Sequence, residues 1–400
     1  MQSGKISDFV PKLRFPELQD TGAWSNAILG DLSKVVRGGS PRPIDDFLTT
    51  SVSGLNWLKI SDVNKEAKYV TRTAEKVRPE ALNKTRVVKP GDLILSNSMS
   101  FGRPYILQIE TCIHDGWIAI TGINKKADRD FIFYSILAPS SQSYFINNAA
   151  GGGVQNLNAD IIKALPISFP SIVEQQKIAD CLSSIDELIG LEAQQLDALK
   201  AHKKGLMQQL LPVEGETVPK LRFPDFREAA DWEIQPFKKL FSVGNGRDYK
   251  HLSTGNVPVY GSGGYMLSVD EYLYDGESVC IGRKGTINNP ILLSGKFWTV
   301  DTLFYTHSFN ECLPHFIYAI FQIIDWLKHN EAGGVPSLSK TNIEKIEVAV
   351  PKPIEQEKIA DCLSSLDELI ALEAQKLDAL KLHKKGLMQQ LFPQIGEADE

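Results

Sequence analysis

Along two stretches of the chain, key positions recur at alternating intervals of four and three. The first set is Ile178, Leu182, Ile185, Ile189, Glu192, Leu196, Leu199, Lys203, Leu206 and Leu210. The second is Ile359, Leu363, Leu366, Ile370, Glu373, Leu377, Leu380, Lys384, Leu387 and Leu391. Eight of each ten are apolar, which is the seam of a coiled coil. Ser171-x-x-Glu174 reads as a capping box and Pro353 as a first-turn proline. Pro212 and Pro393 stop the helices. Each helix is predicted to cover about 38 residues, roughly 57 Å at 1.5 Å per residue. The simplest arrangement pairs the two antiparallel, as a spacer with an approximate twofold axis. The Glu and Lys in the seam then need partners on the opposite helix or on another subunit, because a lone buried charge is costly.

These helices are copies of one another. Glu174–Pro212 and Glu355–Pro393 differ at only six of 39 positions, at an offset of 181. The same offset reaches back to Gly152-Gly153 and Gly333-Gly334. A second pair, PKLRFP at Pro11–Pro16 and at Pro219–Pro224, has an offset of 208 that Trp24 and Trp232 keep. The first unit therefore holds 27 more residues than the second, the difference of the two offsets. The middles share no residue pattern that aligns. Drift alone would not spare the helices while erasing the middles, so one architecture presenting two different specificities is the better account.

Both middles read as α/β. Thr85–Ser96 and Tyr274–Gly282 each run from a turn into a strand. A helix follows at Phe131–Asn147 and at Pro314–Asn330, then a glycine-rich loop. A short apolar strand, Leu165–Phe169 or Ile346–Val350, leads into the long helix. The predicted organisation is a first α/β domain over residues 1–171, a helix over 172–212, a second α/β domain over 213–353, and a second helix with an acidic tail over 354–400.

Composition narrows the setting. A content of 42% hydrophobic and 23% charged residues is that of a globular protein. The twelve residues Phe316–Leu327 are too few for a membrane span, which needs roughly 20, and predict a buried helix. Met1–Lys12 lacks the apolar core of a secretory signal. The five cysteines, Cys112, Cys181, Cys280, Cys312 and Cys362, include no C-x-x-C pair, so neither a disulfide framework nor a zinc site is expected, and a cytoplasmic location is. The net charge of -6 is unevenly spread: Trp24–Ser171 carries +4 and Trp232–Pro353 carries -1. Neither block is basic enough to hold nucleic acid through phosphate contacts alone.

Three features together resemble specificity subunits of type I restriction–modification enzymes. They are the loop AGGGVQNLN or AGGVPSLS before a strand, the helix start P-x-x-x-E-Q-x-K-I-A-D-C-L-S-S-x-D, and the PKLRFP segment that opens each unit. The resemblance covers nearly the whole chain. It implies two target-recognition domains alternating with two helical spacers, each domain reading half of a split sequence in double-stranded DNA. It also implies docking of two methyltransferase subunits on the helices, with motor–nuclease subunits joining through them. S-adenosylmethionine, ATP and magnesium would be carried by those partners.

Base readout needs polar and basic side chains at the groove edges, and close approach favours glycine-rich loops. In the first block the candidates are Arg37, Ser40 and Arg42, then Ser96, Asn97, Ser98 and Arg103, then Gln155, Asn156 and Asn158. In the second they are Arg247, Tyr249 and Lys250, then Tyr260, Ser262 and Tyr265, then Arg283, Lys284, Thr286 and Asn288.

Catalysis by this chain is not expected. Glu355-x-Glu357-Lys358 mimics a nuclease element, but it lies at a helix start, where capping and the helix dipole account for glutamates. No methyltransferase cofactor loop and no phosphate-binding loop fits the sequence, Gly282-Arg283-Lys284-Gly285 included. The competing class is a two-headed protein-interaction scaffold that never touches DNA.

Overall fold

A computed structural model describes residues 10–97, 102–149 and 157–393. The long helices are Ile172–Leu210 and Pro353–Leu391, 39 residues each. The chain divides into two compact units: one is the chain up to Leu191 with the segment from Leu377 onward, the other is Glu192–Lys376. Each unit therefore owns one α/β block, half of one long helix and half of the other.

In the first unit, Ser25–Ile28 pairs antiparallel with Pro166–Phe169, so the strand after the opening segment meets the strand before the helix. One five-stranded sheet has the order Lys34–Arg37, Trp117–Thr121, Leu93–Ser96, Pro104–Leu107, Tyr69–Val70. A second has the order Leu48–Thr49, Glu75–Val77, Leu55–Leu58, Thr111–Ile113, Arg86–Val88. The predicted helix Phe131–Asn147 is two helices, Arg129–Leu137 and Pro139–Asn148. Pro139 drives Ala138 into extended backbone, with ψ of 146°, because the residue before a proline is pushed out of the helical region.

The second unit repeats this plan with shorter sheets. Glu233–Pro236 pairs with Glu347–Val350. A four-stranded sheet runs Ser242–Asn245, Leu303–His307, Ser278–Gly282, Ile291–Leu293, and another runs Gly264–Val269, Thr254–Gly261, Lys296–Thr299, Tyr274–Asp275. The predicted helix Pro314–Asn330 ends at Ile323, and a single 3-10 turn, Trp326–His329, follows. Phe316, Ile317, Ala319, Ile320 and Phe321 are buried, as the apolar run requires.

The opening segments are clamps on the helix starts. Arg14 binds Glu174 in a bidentate pair, both contacts 2.7 Å, and Arg222 binds Glu355 in the same way at 2.7 and 2.8 Å. The neighbouring glutamine splices helix to block. Gln175 accepts from Asp128 N and donates to Lys126 O, and Gln356 accepts from Leu313 N and donates to Glu311 O. The expected capping box is half formed: Glu174 N donates to Ser171 Oγ, but the Glu174 carboxylate turns to Arg14 instead of back to the cap.

Within each unit the two half-helices run antiparallel. In the first, Ile178 and Leu182 share a core with Met388, Leu391 and Phe392; in the second, Leu210 and Met207 share one with Ile359 and Leu363. The seam lysines find their partners on the opposite helix. Lys384 bonds Asp186, whose other oxygen accepts from Tyr134 Oη at 2.7 Å. Lys203 bonds both oxygens of Asp367 at 2.6 and 2.7 Å and also Gln322 at 3.0 Å. Each ion pair thus bolts a block to its helices as well as helix to helix.

The seam glutamates behave differently. Lys376 lies 2.6 Å from Glu192 but 4.0 Å from Glu373, and the place equivalent to Lys376 in the first copy is Gln195, 3.4 Å from Glu373. Hydrogen bonding between the two carboxyl groups, with Lys376 on one side, holds Glu192 below the usual carboxylate range and raises Glu373 above it. A raised folded-state value contributes stability that is present at low pH and lost as pH rises through it. We therefore expect Gln195→Lys, which gives Glu373 its own cation, to raise the thermal midpoint at neutral pH and to flatten its fall above the carboxylate range. An unchanged pH profile in thermal scans would rule this out.

Candidate nucleic-acid interface

Four of the first block's candidates meet at one turn. The turn that carries the chain from Thr111–Ile113 in one sheet to Trp117–Thr121 in the other holds Asp115. Its Oδ1 accepts from Ser40 Oγ at 2.7 Å and its Oδ2 from Arg42 Nη2 at 3.0 Å. Its backbone oxygen accepts from Arg37 Nε at 2.8 Å and from Asn97 Nδ2 at 3.1 Å. Hydrogen bonding from Ser40, then Arg42, holds the Asp115 carboxyl below its ordinary range. Arg42 keeps 79% of its side chain exposed, so its guanidinium is held at one edge and offered to solvent at the others.

In the second block, Asp248, Tyr249, Lys250, Ser262, Tyr265, Asp301 and Thr302 line a concavity of about 730 Å³. The hairpin Gly261–Gly264 forms one wall, and Tyr265 is 62% exposed on it. Arg283, Lys284, Thr286 and Asn288 lie on an adjoining exposed loop, whose Gly285 comes within a side chain's reach of Ser262. That loop is stitched to the glycine-rich segment: Gly285 N donates to Pro336 O at 2.9 Å and Leu338 N to Arg283 O at 3.0 Å. Arg247 is exposed, its carbonyl taken by Trp298 Nε1.

The two sites share a skeleton that the residue pattern hides. Trp117 pairs with Ser96 and Ile118 with Leu95 and Arg37; Leu303 pairs with Gly282 and Phe304 with Ile281 and Asn245. Gly38 N donates to Trp117 O and Gly246 N to Leu303 O; Asn97 N donates to Gly116 O and Arg283 N to Thr302 O; Leu157 N donates to Asn97 O as Leu338 N does to Arg283 O. Asn97 and Arg283 therefore hold one structural place, and Asp115 and Asp301 hold another. A Cβ on Gly38 would sit 2.1 Å from His114 O and one on Gly246 1.9 Å from Val300 O, so the same close backbone approach demands glycine in both.

Several candidates are placed otherwise. Ser96 is fully buried in its strand, so its side chain belongs to the sheet interior and not to a reading surface. Asn158 caps the helix Ala159–Lys163 through Ile161 N, which occupies its side-chain oxygen. Tyr260 and Tyr249 are half-buried and pack into neighbouring apolar clusters. Arg103 lies against the Tyr105 ring, with its Nε buried. Ser98, Gln155 and Asn156 lie outside the described residues. Asp115 and Asp301, which stand at these turns, were not among the candidates, because polar and basic side chains and not acidic turns were sought; only the Asp115-Gly116 turn dipeptide marked the first.

The Glu355 carboxylate, part of the nuclease mimic, is 3% exposed and bound by Arg222. Among the described residues no three His, Cys, Asp or Glu side chains converge as metal ligands, and no helix is long and apolar enough to cross a membrane.

The family model for the type I restriction modification DNA specificity domain matches residues 22–201 and again 229–382. Over 421 aligned residues the chain is 23% identical to the type I restriction enzyme MjaVIII specificity subunit of Methanocaldococcus jannaschii, covering 95% of this chain and 93% of that one. It is 23% identical over 402 residues to the putative MjaX specificity subunit of the same organism, with 92% of each covered. Among solved structures, the S subunit of a type I restriction–modification system from M. genitalium aligns with a TM-score of 0.65 at 17% identity, over 96% of this chain and all of that one. A chain from a study of assembly and conformational transition in a type I system aligns at 0.56 and 13%, over 93% and 98%. At these identities the structural likeness speaks for the fold.

Proposed function

Since the chain belongs to the type I restriction–modification specificity family, we propose that it reads a split DNA target, one half-site with each α/β block, and that the chemistry is done by partners. The observation that carries this reading is one reading skeleton furnished with two different sets of side chains. Arg37, Ser40, Arg42 and Asn97 stand in one unit where Asn245, Asp248, Lys250 and Arg283 stand in the other. Different donors and acceptors at equivalent places select different bases.

Partner docking is read from the helices. Leu188 and Leu191 are 40% and 63% exposed, and their repeats Leu369 and Leu372 are 50% and 61% exposed. Residues three apart share a helix face. None of the four belongs to the four-three seam, so folding does not account for them. A duplicated apolar patch fits two copies of one partner, and a methyltransferase subunit is the partner that this family implies. The net charge of -6 leaves much of the phosphate contact to that partner. S-adenosylmethionine, ATP and magnesium would reside on the methyltransferase and motor–nuclease subunits, in the cytoplasm.

The test is genome-wide adenine methylation in cells given this chain with its cognate methyltransferase. Two short defined blocks separated by a fixed unspecified gap are expected. A continuous motif, or no new methylation with the partner bound, would overturn the reading in favour of a protein-interaction scaffold.

A further inference from the structure

Between Arg86–Thr121 and Tyr272–His307 the sheet registers keep one constant offset, 186, at both ends. Across those stretches the identical pairs are Pro104/Pro290, Leu107/Leu293 and Asp115/Asp301. The first two pairs are buried in or beside strands, and packing accounts for them. The aspartates are not buried: Asp115 keeps 37% of its side chain in solvent, and Asp301 is exposed. A carboxylate that core packing does not account for thus stands at the same turn in two otherwise unlike domains.

The first unit indicates what that is. Asp115 holds Ser40 and Arg42 through its carboxylate and Arg37 and Asn97 through its carbonyl. In the second unit Asp301 lines the same concavity as Lys250, which occupies the place of Arg42 at the 208 offset. A lone aspartate near a DNA backbone would repel phosphate, whereas one engaged with a cation fixes that cation's direction and lowers the entropy lost when it meets a base edge.

We propose that Asp115 and Asp301 are the positioning residues of the two half-site readers, each orienting the cation of its own unit's first loop, Arg42 or Lys250. This rests on the bipartite DNA reading above. The test uses the full chain with its cognate methyltransferase and reads the methylated motif for Asp115→Asn, Asp301→Asn and Ser40→Ala. Asparagine keeps the shape and removes the charge. Asp115→Asn is expected to relax one block of the motif by about tenfold in discrimination and to leave the other block as it was. Asp301→Asn should do the reverse. Ser40→Ala, which leaves the carboxylate in place, should relax the Asp115 block more weakly, and Asp115→Glu should restore part of it. Unchanged motifs in both aspartate variants, or both blocks degraded together by either one, would overturn the proposal. A wild-type chain that produces no split motif would overturn the underlying function itself, whatever the variants do.

Discussion

Leu372→Glu is expected, on the docking proposed above, to remove one of two methyltransferase subunits from the complex while leaving this chain folded. Leu372 is 61% exposed and lies outside the seam, so its loss should move stability by no more than about 0.5 kcal/mol, as for other surface positions. In a docked helix interface the same side chain becomes an apolar anchor, and truncating such an anchor costs about 2 kcal/mol or more. A buried, unpaired carboxylate adds to that. Together they should weaken one site by at least about 30-fold. Native mass measurements of the reconstituted complex should then show one partner per chain instead of two. Leu191→Glu should do the same at the other site, and the double variant should leave the chain bare. Because the two leucines repeat at an offset of 181, the single variants should be near equal in effect. A two-to-one complex that survives the double change would place the docking surface elsewhere.

How much of this was legible beforehand differs by level. The long helices were, because near-identical copies with a four-three seam leave little else possible; the seam lysines were read as needing partners on the opposite helix or on another subunit, and the structure supplies the first. The break at Ala138 was legible but missed: Pro139 stood in the sequence, and apolar continuity outweighed it. The end of the other helix at Ile323 had no such mark. The clamp between Arg14 and Glu174 joins residues 160 apart, and no local spacing rule reaches that far. The common skeleton of the two candidate sites was hidden for a related reason. Strands specify alternation and burial, which many apolar residues satisfy equally, so Trp117 and Leu303, or Ala119 and Tyr305, occupy one place without resembling each other. Ser96 misled because a polar residue at a strand end reads as exposed until the sheet is seen to bury it.

The clamps also yield the largest expected loss of stability. Arg222→Ala leaves Glu355, 3% exposed, without its bidentate partner, and also frees the Ala229 and Ala230 carbonyls that the guanidinium caps at 2.9 Å each. Breaking a buried ion pair from one side costs about 3–5 kcal/mol, because the surviving charge stays buried and uncompensated. Urea unfolding should show that loss in the transition of the second unit. Arg222→Ala with Glu355→Gln should recover a large part of it, since the amide needs no counter-charge. The first clamp should be the more sensitive of the two. Trp232 Nε1 donates to Glu355 at 3.3 Å and would remain as a partial donor, whereas Trp24 Nε1 has no hydrogen-bond partner among the described residues. Arg14→Ala should therefore cost more than Arg222→Ala. Losses below about 1 kcal/mol, or a double variant no better than the single, would mean that the helix starts are held by the glutamine splice and apolar packing and not by the arginine.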